Sequence, residues 1–254
     1  MKYDFYLCSL LVMCVVGKFD TWTDARILMA IAMLEKLDEL TKLGKVPGIR
    51  KADAIQILER LTSCLNKIRD SRMPKHELLF SGLFRAYNNL LSSYISAMGT
   101  KWFQIAKSKD DYTAKLLRFI LLNLRSLGSR LKKTQDGSML GALSIVYVRI
   151  LEKKEYPLNR RIKIYKCTDL ECIYEVASEY DLEKNDVVAF AHTWPLKVDN
   201  FWSEGIFLRN KECEIFKADA ELVGSRVSFD ELCEEDKAKL EEMIREQIEE
   251  YMFL

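Results

Sequence analysis

The chain has 254 residues, of which 49% are hydrophobic, and it carries 39 Lys and Arg against 38 Asp and Glu. This apolar share excludes an intrinsically disordered chain, and ten glycines with four prolines exclude a low-complexity or collagen-like one. The net charge of +1 conceals a gradient, because residues 1–139 carry +10, residues 140–210 carry −1 and residues 211–254 carry −8. A basic first part and an acidic last part predict different partners for different regions.

An apolar run over residues 5–16 follows Lys2 near the N terminus. It is shorter than the roughly 18 residues that a membrane span needs, and no other run in the chain reaches that length. Asp4 stands where a signal peptide is positively charged, and no small-x-small cleavage site follows. We therefore expect a buried first helix rather than a signal segment, and no membrane partner.

Helical periodicity continues through residue 134, and we interpret residues 1–134 as an α-helical domain. Beyond the N-terminal run, the spacing of apolar residues predicts four helices, over residues 24–43, 52–69, 75–107 and 111–133. The third is predicted to be one continuous helix, about 45 Å long at 1.5 Å per residue.

The fourth predicted helix is apolar on nearly all sides. Such a helix is normally buried on several sides, against its own domain or against another subunit. We expect a subunit interface or a core at Leu116, Phe119, Ile120 and Leu124.

A polar segment with two glycines, residues 135–142, is interpreted as a linker. After it, the spacing of apolar residues is no longer helical. The pattern of residues 143–217 is typical of a small antiparallel β domain, with a strand over 144–151, a hairpin over 162–176 and a short helix over 195–204. Its core, or a docking surface, is expected at Tyr147, Val187, Val188 and Phe190.

Residues 226–254 are predicted to form an acidic amphipathic helix, which either packs on its own chain or docks on a partner. Ser228 and Glu231 have the spacing of a capping box at its start. The fold class is therefore α+β: an N-terminal α-helical bundle, a small antiparallel β domain and a C-terminal amphipathic helix.

Seven dispersed cysteines argue against a secreted disulfide framework. Cys167 and Cys172 flank a tight turn, where they are either two separate thiols or a bonded pair. The two histidines, His76 and His192, do not lie at zinc-ligand spacing from a cysteine pair. We expect no metal and no cofactor.

The sequence carries no phosphate-binding loop, dinucleotide fingerprint or nucleophile elbow, so we expect no enzyme. Asp181, Glu183 and Lys184 superficially offer the Asp-x-Glu-Lys pattern of a metal-dependent nuclease, and that alternative stays open. His192, beside Trp194, is interpreted as a packed or surface histidine rather than a general base.

Basic residues cluster near the ends of two predicted helices. There they complement the helix dipole, or they contact nucleic-acid phosphate or an acidic protein partner. These candidate contact residues are Lys101, Arg125, Arg130, Lys132 and Lys133.

Two blocks, residues 57–107 and 147–208, resemble the GINS family of replication factors, in particular the class with the helical domain first (the eukaryotic Sld-five subunit and its archaeal counterpart). The segment 91–94 (LSSY) lies in the first block, and the turn 182–186 in the second, with Asn185 in place of the family's glycine. The first fifty residues and the acidic helix lie outside the resemblance.

The resemblance implies a non-catalytic scaffold subunit of a replication complex, in a homo- or hetero-tetramer with other GINS subunits. It also implies an MCM helicase and a RecJ-like or Cdc-forty-five-like protein as partners, and a location in the cytoplasm (nucleoid) or the nucleus. The basic residues add DNA as a candidate partner. A nucleic-acid-binding helical protein of viral or mobile-element origin is the first alternative, and the nuclease is the second.

Overall fold

The computed structural model describes residues 19–252, with side chains to residue 249. The helix predicted over residues 5–16 lies outside the described residues. Among the described residues, six α-helices come first: α1 (Ala25–Lys42), α2 (Lys51–Asp70), α3 (Lys75–Phe80), α4 (Gly82–Met98), α5 (Trp102–Lys109) and α6 (Asp111–Lys133).

The single long helix predicted over residues 75–107 is wrong, because the chain breaks it twice. At Ser81 the backbone is extended, and the Ser81 hydroxyl accepts a hydrogen bond from the Phe84 amide, which caps α4. At Gly99 the φ angle is +78°, a conformation that glycine adopts without steric cost, and it ends α4. The apolar stripe survives these breaks, since Tyr87 and Tyr94 are both fully buried.

Five antiparallel strands follow in the spatial order β3-β2-β1-β4-β5: β1 (Ser144–Glu155), β2 (Lys163–Thr168), β3 (Ile173–Ser178), β4 (Val187–Val198) and β5 (Phe201–Phe207). The predicted hairpin is confirmed as β2 and β3. The short helix predicted over residues 195–204 is wrong, because Val198 pairs with Phe201 in a β4–β5 hairpin. Asp199, at φ +51°, supplies the left-handed residue that such a tight turn requires.

The C-terminal helix α7 (Glu234–Met252) begins six residues after Ser228, so the predicted capping box is wrong. Residues 229–231 form only one 3₁₀ turn, after which Leu232 is extended and forms a β-bridge with Asn210, and a disulfide joins Cys233 to Cys213. Cys167 and Cys172 are separate thiols, as one of the two interpretations had it.

Helix α7 folds back on its own chain. Leu240, Ile244 and Ile248 are buried in the main core, where α7 packs against α1. At the start of α7, Asp236 accepts hydrogen bonds from the amide and the guanidinium of Arg209.

One hydrophobic core joins the helices to the sheet, because α6 lies against the face of β4. The segment 135–142, predicted as a linker, contributes buried Leu140 and Ala142 to this core. The α+β fold class is confirmed. None of the helices within residues 19–252 is both long and apolar enough to cross a membrane.

Candidate docking groove and charged junctions

The four apolar residues singled out on α6 lie in the core of this chain. Leu116, Phe119, Ile120 and Leu124 are each at most 3% exposed. The Phe119 ring stacks on Trp194 of β4 at a centroid distance of 4.9 Å. The apolar face of α6 is therefore covered by the chain's own sheet.

The four residues expected to form the core or the docking surface of the β domain are buried as well. Tyr147 and Val187 belong to the core shared with the helices, and Val188 and Phe190 belong to a second cluster on the other face of the sheet. A partner does not reach these side chains in this conformation.

The candidate basic contacts divide into two kinds. Lys101, Arg125, Lys132 and Lys133 are exposed. Arg130 is wholly buried, and its guanidinium donates to the carbonyls of Gly141, Ala142 and Asn123, so its assignment as a surface contact is wrong. Position 130 faces inward because α6 turns that side toward the segment that leads into the sheet.

The Asp-x-Glu-Lys pattern lies in the exposed turn between β3 and β4. The Lys153 ammonium contacts Asp181 at 3.0 Å and Glu183 at 2.7 Å, and Lys163 contacts Asp181 as well. Hydrogen bonds from Lys163 and Lys153 lower the pKa of Asp181 to about 2. Across residues 19–252, no three His, Cys, Asp or Glu side chains converge where they would hold a metal ion.

His192 is a packed histidine on β4. It lies between the rings of Phe119 and Tyr174, at centroid distances of 5.3 Å and 4.9 Å. Burial, with a smaller contribution from Arg118, lowers the pKa of His192 to about 3, so the imidazole is neutral.

A groove of about 410 Å³ opens between α2 and α4, and we call it the docking groove. Leu83, Ala86 and Leu90 of α4 form one wall, at the spacing that places them on one helix face. The thiol of Cys64, on α2, donates to the Leu83 carbonyl at 3.2 Å and ties the walls together. The remaining lining comes from α2: Glu59, Arg60, Ser63 and Lys67.

The surroundings of the docking groove are basic. Residues 51–109 carry ten Lys and Arg against four Asp and Glu. Arg60 and Lys67 are both exposed on the groove wall, beside one exposed carboxylate, that of Glu59. Phe80, the last residue of α3, is 84% exposed. An apolar floor with a cationic rim is the arrangement that an amphipathic acidic helix fits.

The first charged junction, which we call the balanced network, joins the start of α6 to the sheet. The Lys115 ammonium lies 2.9 Å from Asp111 and 3.0 Å from Glu175, and Arg118 forms an ion pair with Glu204. Burial raises the pKa of Glu175, but hydrogen bonds from Lys107 and Lys115 outweigh it and lower the pKa to about 2. Three cations thus meet three carboxylates: Lys107, Lys115 and Arg118 with Asp111, Glu175 and Glu204.

The second charged junction, which we call the arginine junction, lies near the end of α6. The Arg26 guanidinium binds Asp24 and lies 3.1 Å from Asp136, which also accepts from Lys75 at 2.7 Å. Burial lowers the pKa of Arg130 to about 9, and the nearby charge of Arg226 lowers it further in the same direction. Three cations, Arg26, Lys75 and Arg130, thus lie here with two carboxylates, Asp24 and Asp136; the Thr134 hydroxyl accepts from Arg26 and donates to the Arg130 carbonyl.

Neither the groove nor Arg26 and Arg226 were singled out from the sequence. A signal existed for Arg26, because it sits one residue before Ile27 in a helix that is otherwise apolar at the core-facing positions. No comparable signal marks Arg226, whose backbone pairs with that of Val146.

Against known proteins, this chain matches no family model and no curated protein.

Proposed function

We propose that this chain is a non-catalytic scaffold protein that holds an acidic, amphipathic helix of a protein partner in the docking groove. The observation that carries the proposal is the groove itself, an apolar cleft of about 410 Å³ whose wall displays Arg60 and Lys67. Apolar residues at positions i, i+3 or i+4 and i+7 of a helix would fill the cleft, and flanking carboxylates would meet the two cations.

The other apolar faces described above are already covered within the chain. The apolar side of α6 faces the sheet, and the buried side of α7 faces α1. The docking groove is lined by exposed Ala86 and half-buried Leu83 and Leu90, so a partner can reach it without any part of the fold opening.

In its narrower form, the proposal is that the chain is a GINS-like subunit of a replicative helicase assembly in the nucleoid or the nucleus. Its partners would be the other subunits of a tetramer, an MCM helicase and a RecJ-like or Cdc-forty-five-like protein. This narrower form rests on the sequence resemblance over residues 52–210 alone.

The groove is tested by two substitutions on α4. Ala86→Arg places a long charged side chain in the groove, whereas Asn88→Arg places the same side chain at an exposed position outside the groove lining. Both positions are solvent-exposed, so we expect both variants to fold with unchanged melting temperatures.

Each variant is purified from its native host, with the partners identified by mass spectrometry and the complex sized by light scattering. We expect the wild type and Asn88→Arg to co-purify with one partner in stoichiometric amount. The amount of that partner recovered with Ala86→Arg should be at least tenfold lower. A strict monomer, or the same partner in all three samples, contradicts the proposal. If the partner is not an MCM-type assembly, only the narrower form is contradicted. If the partner is a second copy of this chain, the occupant of the groove is a helix of that copy and not of a different protein.

Nucleic-acid binding is a second candidate function, favoured by the excess of positive charge over residues 51–109. Contacts to phosphate make the affinity fall steeply as salt rises. Binding to short duplex and single-stranded DNA, measured over a series of salt concentrations, tests this candidate.

A further inference from the structure

The apolar run over residues 5–16 (FYLCSLLVMCVV) precedes the described part of the chain. It is apolar except for Ser9 and the hydroxyl of Tyr6, and no charged residue lies between Asp4 and Lys18. Twelve residues of this composition are unfavourable in water, because apolar surface is driven out of contact with it. The run therefore needs an apolar surface to cover it.

The docking groove is an apolar surface that the described residues leave uncovered. Leu83 and Leu90 are half-buried on its wall, and Ala86 between them is exposed. Along α2 the groove extends from Glu59 to Lys67, about 12 Å at 1.5 Å per residue. A run of twelve residues reaches about 18 Å even as a helix, so residues 5–16 are long enough to fill the groove.

The described part of the chain begins beside the C-terminal end of α2, the helix that forms one wall of the groove. There the Thr21 hydroxyl donates to the Arg69 carbonyl at 2.8 Å, and the Trp22 ring centroid lies 4.6 Å from the Arg69 guanidinium carbon. Cys64, in the groove lining, is five residues before Arg69, or about 8 Å along the helix. Residues 17–20 join the run to Thr21 and span up to about 14 Å when extended, which is enough to reach the groove.

From these observations we infer that residues 5–16 occupy the docking groove of their own chain when no partner is bound, and that the partner helix displaces them. The inference rests on the groove proposed above as the docking site. The run makes apolar contacts only, because it carries no charge to pair with Arg60 and Lys67.

This internal occupant makes the groove selective. An acidic amphipathic helix makes the same apolar contacts as the run and adds ion pairs with Arg60 and Lys67, so it displaces the run. An apolar segment without carboxylates has no such advantage over an occupant that is tethered in the same chain at a high effective concentration.

Disulfide trapping in the purified full chain, without a partner, tests whether the run reaches the groove. Ala86→Cys places a thiol in the groove lining, and Asn88→Cys places one at an exposed position of α4 outside the lining. The run supplies its own thiols, those of Cys8 and Cys14. With oxidised glutathione as the oxidant, two cysteines form a disulfide only where their Cα atoms come within about 7 Å. Mass spectrometry of the monomer fraction identifies the bonded pair.

We expect Cys8 or Cys14 to form a disulfide with the thiol of Ala86→Cys at least ten times faster than with that of Asn88→Cys. Adding Leu10→Asn and Leu11→Asn to Ala86→Cys should slow the reaction at least tenfold, because amide groups in an apolar groove lose their hydrogen bonds to water. Ser9→Asn, at the polar position of the run, is the matched control and should not slow it. Equal rates at the two positions overturn the inference, and so does a rate that the paired asparagine substitutions leave unchanged.

The outcomes separate this inference from the proposed function. Trapping in the groove, together with no partner in the co-purification above, supports the internal occupant and contradicts the partner. A partner that is lost with Ala86→Arg, together with no trapping, contradicts the internal occupant alone. A disulfide confined to the dimer fraction also overturns the inference, because the run then occupies the groove of a second copy.

Discussion

Helix α6 carries buried charges near both of its ends, and the two sets differ in how they are neutralised. At its start, the balanced network brings Lys115 to Asp111 and Glu175, and Arg118 to Glu204. Near its end, the Arg130 guanidinium is held by the carbonyls of Ala142 and Asn123 and forms no ion pair with a carboxylate of the described residues. The same helix thus carries one buried cation set matched by carboxylates and one buried cation matched by carbonyl dipoles.

The balanced network has the geometry of a permanent structural contact. Lys115 and Glu204 are each 1% exposed, and each makes further hydrogen bonds, to the Trp202 carbonyl and from the Glu175 amide. Additional hydrogen bonds are the condition under which buried ion pairs are tolerated, and within this network only the Oδ1 atom of Asp111 is buried without one. This network fixes the helices against the sheet, so the two regions share one core.

The arginine junction meets that condition in a different way. Arg130 has its N–H groups satisfied by backbone carbonyls and by the side chains of Ser126 and Asn123. The two ends of α6 thus show two ways of neutralising a buried charge, by counter-charges and by dipoles.

The largest expected effect is at the balanced network. Glu204→Gln leaves the Arg118 guanidinium, whose side chain is 13% exposed, without its counter-charge. We expect the free energy of unfolding to fall by about 3 kcal/mol, since breaking one side of a buried pair leaves an uncompensated charge. Urea denaturation measures this, with the exposed Glu246→Gln as the control. A loss below about 1 kcal/mol would show that the network is not a structural contact.

The next effect concerns His192, beside the balanced network. Its folded-state pKa of about 3 lies below the ordinary value of 6.5, so the unfolded chain binds a proton that the folded chain does not. The contribution of His192 to the free energy of unfolding is therefore fully present above pH 6.5, and it is lost as the pH decreases toward 3. Between pH 8 and pH 5 we expect a loss of about 2 kcal/mol at roughly 1.4 kcal/mol per unit. In the His192→Leu variant, the midpoint of urea unfolding should no longer change with pH over this range. If it changes as much as in the wild type, another group causes the pH dependence.

A smaller effect is expected at the arginine junction. Asp136→Asn removes one of the two carboxylates that neutralise Arg26 and Lys75. We expect a loss of about 1 kcal/mol, because these hydrogen bonds involve charged groups but are partly open to water. Urea denaturation measures this loss, with the exposed Glu246→Gln as the control. An unchanged free energy of unfolding would show that Asp136 does not stabilise the fold.

The smallest effect is expected at the exposed cations of α6. Lys132→Gln and Lys133→Gln lie on the surface and should change the free energy of unfolding by less than about 0.5 kcal/mol. If these residues contact DNA, each substitution should lower the number of phosphate contacts, as derived from the salt dependence of DNA binding, by about one. Unchanged salt dependence in both variants would remove them from any DNA interface.

Much of the helical part was predictable because helical periodicity is a local property. The predicted helix over residues 111–133 coincides with α6, and the one over 52–69 differs from α2 by one residue at each end. The hairpin of β2 and β3 was predictable for the same reason, since alternation and a turn signal lie within fifteen residues.

The errors lie where local and distant preferences compete. Residues 195–204 have a proline start and a glycine end that suit a helix, yet Val198 pairs with Phe201 because the sheet supplies partners for both strands. Ser228 has the spacing of a helix cap, but it precedes only a 3₁₀ turn over residues 229–231, because the bridge at Leu232 and the disulfide from Cys233 interrupt the helix before α7.

The candidate sites were less predictable than the fold, as Arg130 illustrates. Its place near the end of a helix was apparent, but its burial depends on the carbonyls of residues more than ten positions further along the chain. The docking groove likewise forms only where α2 and α4 lie side by side. The sequence of either helix alone does not predict it.

By itself, the sequence determined the fold class, the positions of most helices and strands and the gradient from a basic front to an acidic tail, because each depends on neighbouring residues. Only the tertiary structure decided which charges are buried, which are balanced and where apolar surface stays uncovered. Those properties depend on what lies opposite a side chain in space, and residues distant in the chain, such as Arg26, Arg130 and Arg226, supply it.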